Sequence, residues 1–197
     1  MRMLARSSSV LALIVAVLTY ISLARAAGTL PRPGDYVVDA AGSTVGFNVT
    51  HFVISSVDGK FKTINGRIKV GDSFATTHIE ATVETRSIDT DNGSRDKHLR
   101  SADFLDVEQF PSMTFTSTML WGTPNNFGIK GNLTIKGVTR EVVFTARILD
   151  TGLVVAETKI DRTAFGVMYS GPVSNEVRLR LEIRMAKAVA SRASGEP

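Results

Sequence analysis

The chain has no cysteine among its 197 residues, which excludes a disulfide scaffold, a thiolate metal site and a cysteine nucleophile. It also has no G-x-S-x-G elbow and no glycine-rich phosphate loop, two common carriers of hydrolase and nucleotide chemistry. Its three histidines, His51, His78 and His98, share no short ligand spacing, so no metal is expected. An excess of one charge is missing too. Lys plus Arg number 23 against 19 Asp plus Glu, a formal +4. Three of the cations, Arg2, Arg6 and Arg25, fall in a leader that has no acidic residue, so without it 20 basic side chains face 19 acidic ones, about +1. No concentrated basic stripe remains, and nucleic acid is not an expected partner.

The leader carries the one long apolar run. Residues 1–6 are basic, residues 10–24 apolar, and Ala24-Arg25-Ala26 forms an A-x-A cleavage site, the three parts of a signal peptide in order. Cleavage is predicted after Ala26. An uncleaved anchor is disfavoured, because the run falls short of the roughly 20 residues that span a bilayer and contains Thr19, Tyr20 and Ser22. With no cysteine to acylate and no paired arginines, the expected product is soluble and periplasmic or secreted. The predicted organisation is a signal peptide over 1–26, a Pro/Gly-rich lead-in over 27–34, one domain over 35–186 and a disordered tail over 187–197.

Within the domain, apolar residues alternate with polar ones. Val177, Leu179, Leu181, Ile183 and Met185 interleave with Glu176, Arg178, Arg180, Glu182 and Arg184, a strand with one dry face and one wet face. The same period sets Val45, Phe47, Val49 and His51 on one face, and likewise Ile79, Ala81, Val83 and Thr85. It also groups Met113, Phe115, Ser117 and Met119, then Phe127 to Ile135 at odd positions. Val142, Phe144, Ala146 and Ile148 follow at even positions, as do Val154, Ala156, Thr158 and Ile160. Over 61–70 the parity shifts between Phe61 and Ile64, which predicts a bulge near Thr63. About eight or nine strands result, enough to close a sheet on itself.

Residues 92–109 break the rhythm. Ser94 is the expected cap of a short helix holding Arg95, Asp96, His98 and Leu99, and Ser101 the expected cap of a second turn before Phe104; Pro111 then restarts extended chain. This segment is expected to lie across one end of the sheet. If the strands close into a barrel of about eight, the interior is either filled by side chains or holds one small ligand. Large inward residues (Phe47, Phe61, Phe115, Phe127, Phe144) alternate with small ones (Gly66, Ala81, Gly131, Ala146, Ala156), a pattern that suits a packed core as well as a void. An outer-membrane barrel would turn its apolar row to lipid, and the 7% aromatic content with no girdle at strand ends argues against one.

Specific motifs narrow the choice. Tyr36-x-x-Asp39, Val45-x-Phe47-x-Val49-x-His51, Val57-x-Gly59-x-Phe61 and Gly66-x-Ile68 open a series. Arg95-Asp96-x-His98-Leu99-x-Ser101-x-Asp103-Phe104 and Phe110-Pro111-x-Met113-x-Phe115 continue it. Gly131-x-Leu133-Thr134-Ile135-x-Gly137-Val138-Thr139-Arg140 and Ile160-x-Arg162-x-x-Phe165-Gly166 complete it. In this order, across residues 34–186, the chain resembles the YceI-like family. It departs at Ala164, where that family commonly has a polar residue. The resemblance implies a mainly β fold, an extended antiparallel eight-stranded lipocalin-like barrel with a short helical lid, that holds an isoprenoid or another long amphiphile in an exported bacterial protein.

On that basis the candidate walls are Phe47, Val49, Phe61, Ile79, Val83, Phe115, Phe144 and Leu181, with His51 as a hydrogen-bonded polar group among them. The candidate lid is residues 95–104, where Leu99 and Phe104 cover the interior and Arg95 or His98 meets a polar head group; ion pairs with Asp96 or Asp103 and a helix cap are the structural alternatives. Hiding about 300 Å² of apolar chain at roughly 25 cal/mol per Å² contributes about 7 to 8 kcal/mol before ordering costs, near micromolar affinity. The expected partner is an isoprenoid or fatty-chain lipid. No cofactor is expected beyond that lipid. A homodimer and a transient membrane-protein partner are compatible with it, as is a part in redox or stress response. The competing reading is an enzyme acting on a bound lipid through His51 or His98.

Overall fold

The computed structural model describes residues 28–51 and 55–189. The predicted signal peptide and residues 190–197 of the predicted tail lie outside them.

Twelve strand segments form one antiparallel sheet among the described residues. They amount to eight passes of the chain. The first is β1 (Gly34–Val38) and β2 (Thr44–His51), on either side of a 3-10 turn at Ala40–Gly42. The second is β3 (Ser55–Phe61) and β4 (Ile64–Val70), and the third β5 (His78–Glu84) and β6 (Ile88–Asp89) around a turn at Thr85–Ser87. Four unbroken passes follow: β7 (Ser112–Thr123), β8 (Asn126–Ile135), β9 (Val138–Ile148) and β10 (Val154–Asp161). The last is β11 (Val173–Ile183) continued by β12 (Met185–Lys187). Each pass pairs with the next, and the last returns to the first through β11 with β2 and β12 with β1. The ring is therefore closed, an up-and-down barrel with no free outer edge.

The expected count of eight or nine strands holds for passes and falls short for segments, because four passes are bent. At the predicted bulge the Thr63 N–H donates to Ser87 Oγ at 3.1 Å and the Glu84 N–H to the Thr63 carbonyl at 3.0 Å, so the bends of the second and third passes lock together. Between β11 and β12 the Arg184 carbonyl accepts from the Asp39 N–H at 2.9 Å, and the Arg184 N–H donates to Ser43 Oγ at 2.9 Å. Side chains thus complete the ladder where its register slips. At the C-terminus, pairing runs past the predicted limit of the domain. Lys187 sits opposite Tyr36, and the Ala188 N–H donates to the Asp35 carbonyl at 2.9 Å.

The dry faces turn inward as the alternation requires, with one correction. Met119 does not continue the row of Met113, Phe115 and Ser117. A register shift between Ser117 and Met119 inserts a residue, so Met119 is 57% exposed outside while Leu120, at 3%, faces the core. Two expected caps also differ. The one α-helix among the described residues, α1 (Gly93–Arg100), is capped by Asn92, whose side chain accepts from the Arg95 N–H at 3.0 Å, and not by Ser94. Ser101 ends α1, and the expected turn before Phe104 follows, its Phe104 N–H donating to the Ser101 carbonyl at 3.1 Å, but the Ser101 hydroxyl donates back to the His98 carbonyl and does not cap that turn. Asn at residue 92 offers its carbonyl oxygen from an extended backbone one residue before Gly93, the geometry an N-cap needs.

The bulge makes a stability prediction that simple alternation would invert. Leu120→Ala should cost about 2 to 5 kcal/mol in urea unfolding, as a cavity in a packed core does, while Met119→Ala should stay within about 0.5 kcal/mol. Equal losses at both positions would contradict the bulge.

Candidate functional site: an apolar cavity and its lid

The inward faces do not meet. They surround a cavity of about 870 Å³, toward the upper end of the range of about 300 to 1,000 Å³ typical of small-molecule sites. Phe47, Val49 and His51 of β2 line it, with Phe61 of β3, Ile79 and Val83 of β5, Phe115 of β7, Phe144 of β9 and Leu181 of β11. Arg95, His98 and Leu99 of α1 and Phe104 after it cover one end. All of the wall and lid candidates named from sequence therefore face the same void.

The small inward residues meet expectation only in part. Ala81 and Ala156 line the void as expected, but Gly131 does not, and a large ring lies on it, as one also lies on Gly59. A Cβ on Gly59 would meet Phe47 Cζ at 2.2 Å, and one on Gly131 would meet Phe115 Cζ at 2.5 Å. Each phenyl ring is seated against a bare stretch of backbone, which keeps it off the barrel axis.

The lid is fixed by polar bonds. Arg95 donates through Nε to Thr90 Oγ1 at 2.8 Å and through Nη2 to the Thr90 carbonyl at 2.7 Å. Thr90 in turn donates its hydroxyl at 2.6 Å and its N–H at 2.9 Å to one oxygen of the buried Asp96. The expected Arg95–Asp96 pair is thus relayed through Thr90. Arg100 donates to the carbonyls of Arg86 and Ile88 at 2.8 and 2.6 Å, tying α1 to the barrel rim. His98 pairs with Asp103, Nε2 to Oδ2 3.2 Å, and its ring meets Phe104 and Tyr169 edge-on at centroid separations of 5.0 and 5.3 Å.

Sequence reasoning missed three closures. At the end remote from α1, Leu30 and Pro31 of the lead-in line the cavity beside Phe74, which stacks on Phe127 at 4.6 Å. At the α1 end, the buried Arg162 donates to the carbonyls of Ser174, Val167, Tyr169 and Val173 at 3.1, 2.7, 2.8 and 3.2 Å, folding the connection between β10 and β11 over the rim. Arg162 starts the 3-10 turn Arg162–Phe165. Asp161 caps that turn. Hydrogen bonds from the Thr163 hydroxyl and N–H hold the Asp161 carboxyl below the usual carboxylate range. These residues lie in loops and turns, where no periodicity marks a side chain as inward; only the Asp161-Arg162-Thr163 turn chemistry was there to be read.

Residues 36–185 match the family model described as a YceI-like domain. The chain belongs to the YceI-like family. Protein YceI of Escherichia coli O17:K52:H18 is 35% identical over 179 residues, covering 84% of this chain and 93% of that one. Protein YceI of Salmonella newport is 35% identical over 162 residues, 76% and 85% of the two chains. Among solved structures, the Campylobacter jejuni YCEI protein superposes with a TM-score of 0.62 at 27% identity, covering 71% of this chain and 90% of that one. Burkholderia cenocepacia BcnA (TM-score 0.69, 22% identity, 76% and 99% covered) shares the fold, as does a polyisoprenoid binding domain from Saccharophagus degradans (0.63, 13%, 78% and 98%).

In this YceI-like barrel the four carbonyls held by Arg162 lose a common donor if it is removed. Arg162→Met should destabilise by about 3 kcal/mol or more in urea unfolding, and Arg162→Lys should recover only part, because one ammonium cannot reproduce the guanidinium fork. A neutral Arg162→Met would show that the loop holds itself.

Proposed function

We propose that the protein is an exported, non-enzymatic binding protein that encloses an isoprenoid, of polyprenyl or quinone type, or a similar long amphiphilic lipid, for transport, storage or sequestration. The carrying observation is the uneven chemistry of the cavity. Among the described residues no Asp, Glu or Lys lines it, and its Arg and His lining residues are His51, Arg95, His98 and Arg162. Arg95 and His98 belong to α1, and His51 pairs with Val173, whose carbonyl Arg162 holds, so all four gather at one end. An apolar tube with one polar end suits a molecule with a long apolar tail and a single head.

Length supports a long chain. Passes of 10 to 12 residues in β7, β8 and β9 at a rise of about 3.3 Å give strands of about 35 Å, and a tilt near 40° makes the barrel about 27 Å tall. That approaches the whole hydrocarbon thickness of a bilayer, about 30 Å, and exceeds a single leaflet. The fold shared with a domain described as polyisoprenoid binding is consistent with this reading. The export signal read in residues 1–26 supports the periplasm or the cell exterior as its compartment in this proposal. A homodimer, and a membrane protein as donor or acceptor, belong to the same proposal.

Native mass spectrometry with lipid extraction tests it. The protein purified from its own host should carry a single prenyl or fatty-chain lipid, and the mature mass should begin at Ala27. Repeated isolation with only water inside would overturn the reading, and turnover of the lipid that vanishes in His51→Ala or His98→Ala would make the protein an enzyme instead. Phe47→Arg should abolish retention in a protein that still folds, since burying a cation against Gly59 and Thr90 leaves it without a partner.

A further inference from the structure

The wall of the barrel is not laced to the same height all round. β9 pairs with β8 from Val138 to Ala146, and β10 pairs with β11 along its whole length. With each other they pair only where residues 154–157 face residues 145–148, four pairs, the fewest between any two adjacent passes and one fewer than between β5 and β7. Toward the α1 end, residues 138–144 and 158–161 form the two sides of a wedge-shaped seam. The first carbonyl on the β9 side, that of Val143, accepts from Thr158 Oγ1 at 2.7 Å in place of a ladder bond, and the Thr139 carbonyl accepts from Arg140 Nη1 at 3.1 Å. The Thr158 bond is the last stitch between the two strands, and the Arg140 bond beyond it stays within β9.

One element fills the seam. The 3-10 turn Arg162–Phe165 puts the Phe165 ring, 2% exposed, into the cavity wall, and Gly166 at φ 75 turns the chain back with only Val138 within reach of a Cβ. Elsewhere, among the described residues, the elements over the cavity are held by more contacts. The α1 end is held by the Arg95–Thr90–Asp96 relay and by the carbonyl bonds of Arg100, and the far end by Leu30, Pro31 and the Phe74–Phe127 stack.

We propose that this seam is a lateral portal. The Phe165 ring swings aside, β9 and β10 part above Val143, and the apolar chain of the ligand slides out sideways while the polar lid stays closed. The inference rests on the lipid-binding reading above and adds the route. A chain leaving between strands passes from one apolar surface directly to another, without first crossing the charged lid.

Because the chain has no cysteine, the seam can be stapled cleanly. Val143→Cys with Lys159→Cys places thiols at positions that would face each other if the β9–β10 register continued; both lie outside the cavity lining. A short bis-methanethiosulfonate reagent bridges them and a reductant releases them, so the same folded sample serves as its own control. The protein is loaded with dansyl-geranylgeraniol, and transfer to phosphatidylcholine vesicles carrying a rhodamine acceptor is followed by energy transfer. Stapling should slow release about tenfold, with recovery on reduction, as for a locked lid. A staple at Thr145→Cys with Glu157→Cys, where the strands already pair, should leave the rate unchanged. Phe165→Leu should speed release several-fold. A bridged seam that releases probe as fast as the reduced protein overturns the portal and leaves the cavity reading intact; an unmodified protein that takes up no probe overturns both.

Discussion

Everything in this molecule depends on ring closure. An antiparallel sheet with one dry face has to cover that face, and here the cover is the sheet itself. The last pass pairs with the first through β11 with β2 and β12 with β1, so no second layer is needed. Closure removes the edges that invite aggregation and leaves an interior whose size follows from strand number and tilt more than from the side chains within it. A packed sandwich could adjust its sheet separation to its side chains. A barrel of eight passes cannot collapse in that way, and side chains too compact to fill it leave a cavity.

Whether a barrel of this size is filled therefore turns on where its bulky residues lie. Phe47, Phe61, Phe115, Phe127 and Phe144 have enough volume to crowd the axis, yet Phe47 lies over Gly59, Phe115 over Gly131, and Phe127 stacks on Phe74 at one end. Phe115 and Phe144 meet edge to face at 5.6 Å, and Phe47 and Phe61 lie tilted to each other at 5.7 Å, so the rings support one another along the wall. Glycine contributes here by what it lacks. With no Cβ beneath it, a ring can rest on backbone, and apolar area is gained without obstructing the bore.

Alternation was legible because a strand side chain has two choices and burial selects one. The rows from β2, β5, β8, β9 and β11 could be assigned inward from their spacing, and the parity change near Thr63 located the bend between β3 and β4. The same logic failed at Met119 because a single inserted residue reverses parity, and nothing in Ser117-Thr118-Met119-Leu120 announces the insertion. It also had no purchase on Leu30, Phe74 or Arg162. Each closes the barrel from a segment without period, and its inward direction is set by distant partners: the strand ends above Leu30, the Phe127 ring, the four carbonyls of the β10–β11 connection. Motif order supplied the family, which carried the barrel and the lid together.

A binding protein for a long apolar chain faces two opposed demands, since water must be kept from the tail and the tail must still leave. Buried charge serves the first. Arg162 and the Arg95–Thr90–Asp96 relay are satisfied inside the rim, and opening the lid would strand donors and acceptors that have no substitute partner until water arrives. Such a closure is stiff because its intermediate states are costly. The wall between β9 and β10 has the opposite character: past the single bond from Thr158 to the Val143 carbonyl no ladder pair joins the strands, the Thr139 carbonyl is met from within β9 by Arg140, and the plug is one apolar ring at the end of the turn that Arg162 begins. Separating the strands there breaks no ladder pair and exposes Phe165, the inward Val142 and Ile160 and the tail itself, and that exposure costs least where the receiving surface is also apolar. Polar bolts at the ends and an apolar wedge at the side thus divide retention and release between different parts of one wall.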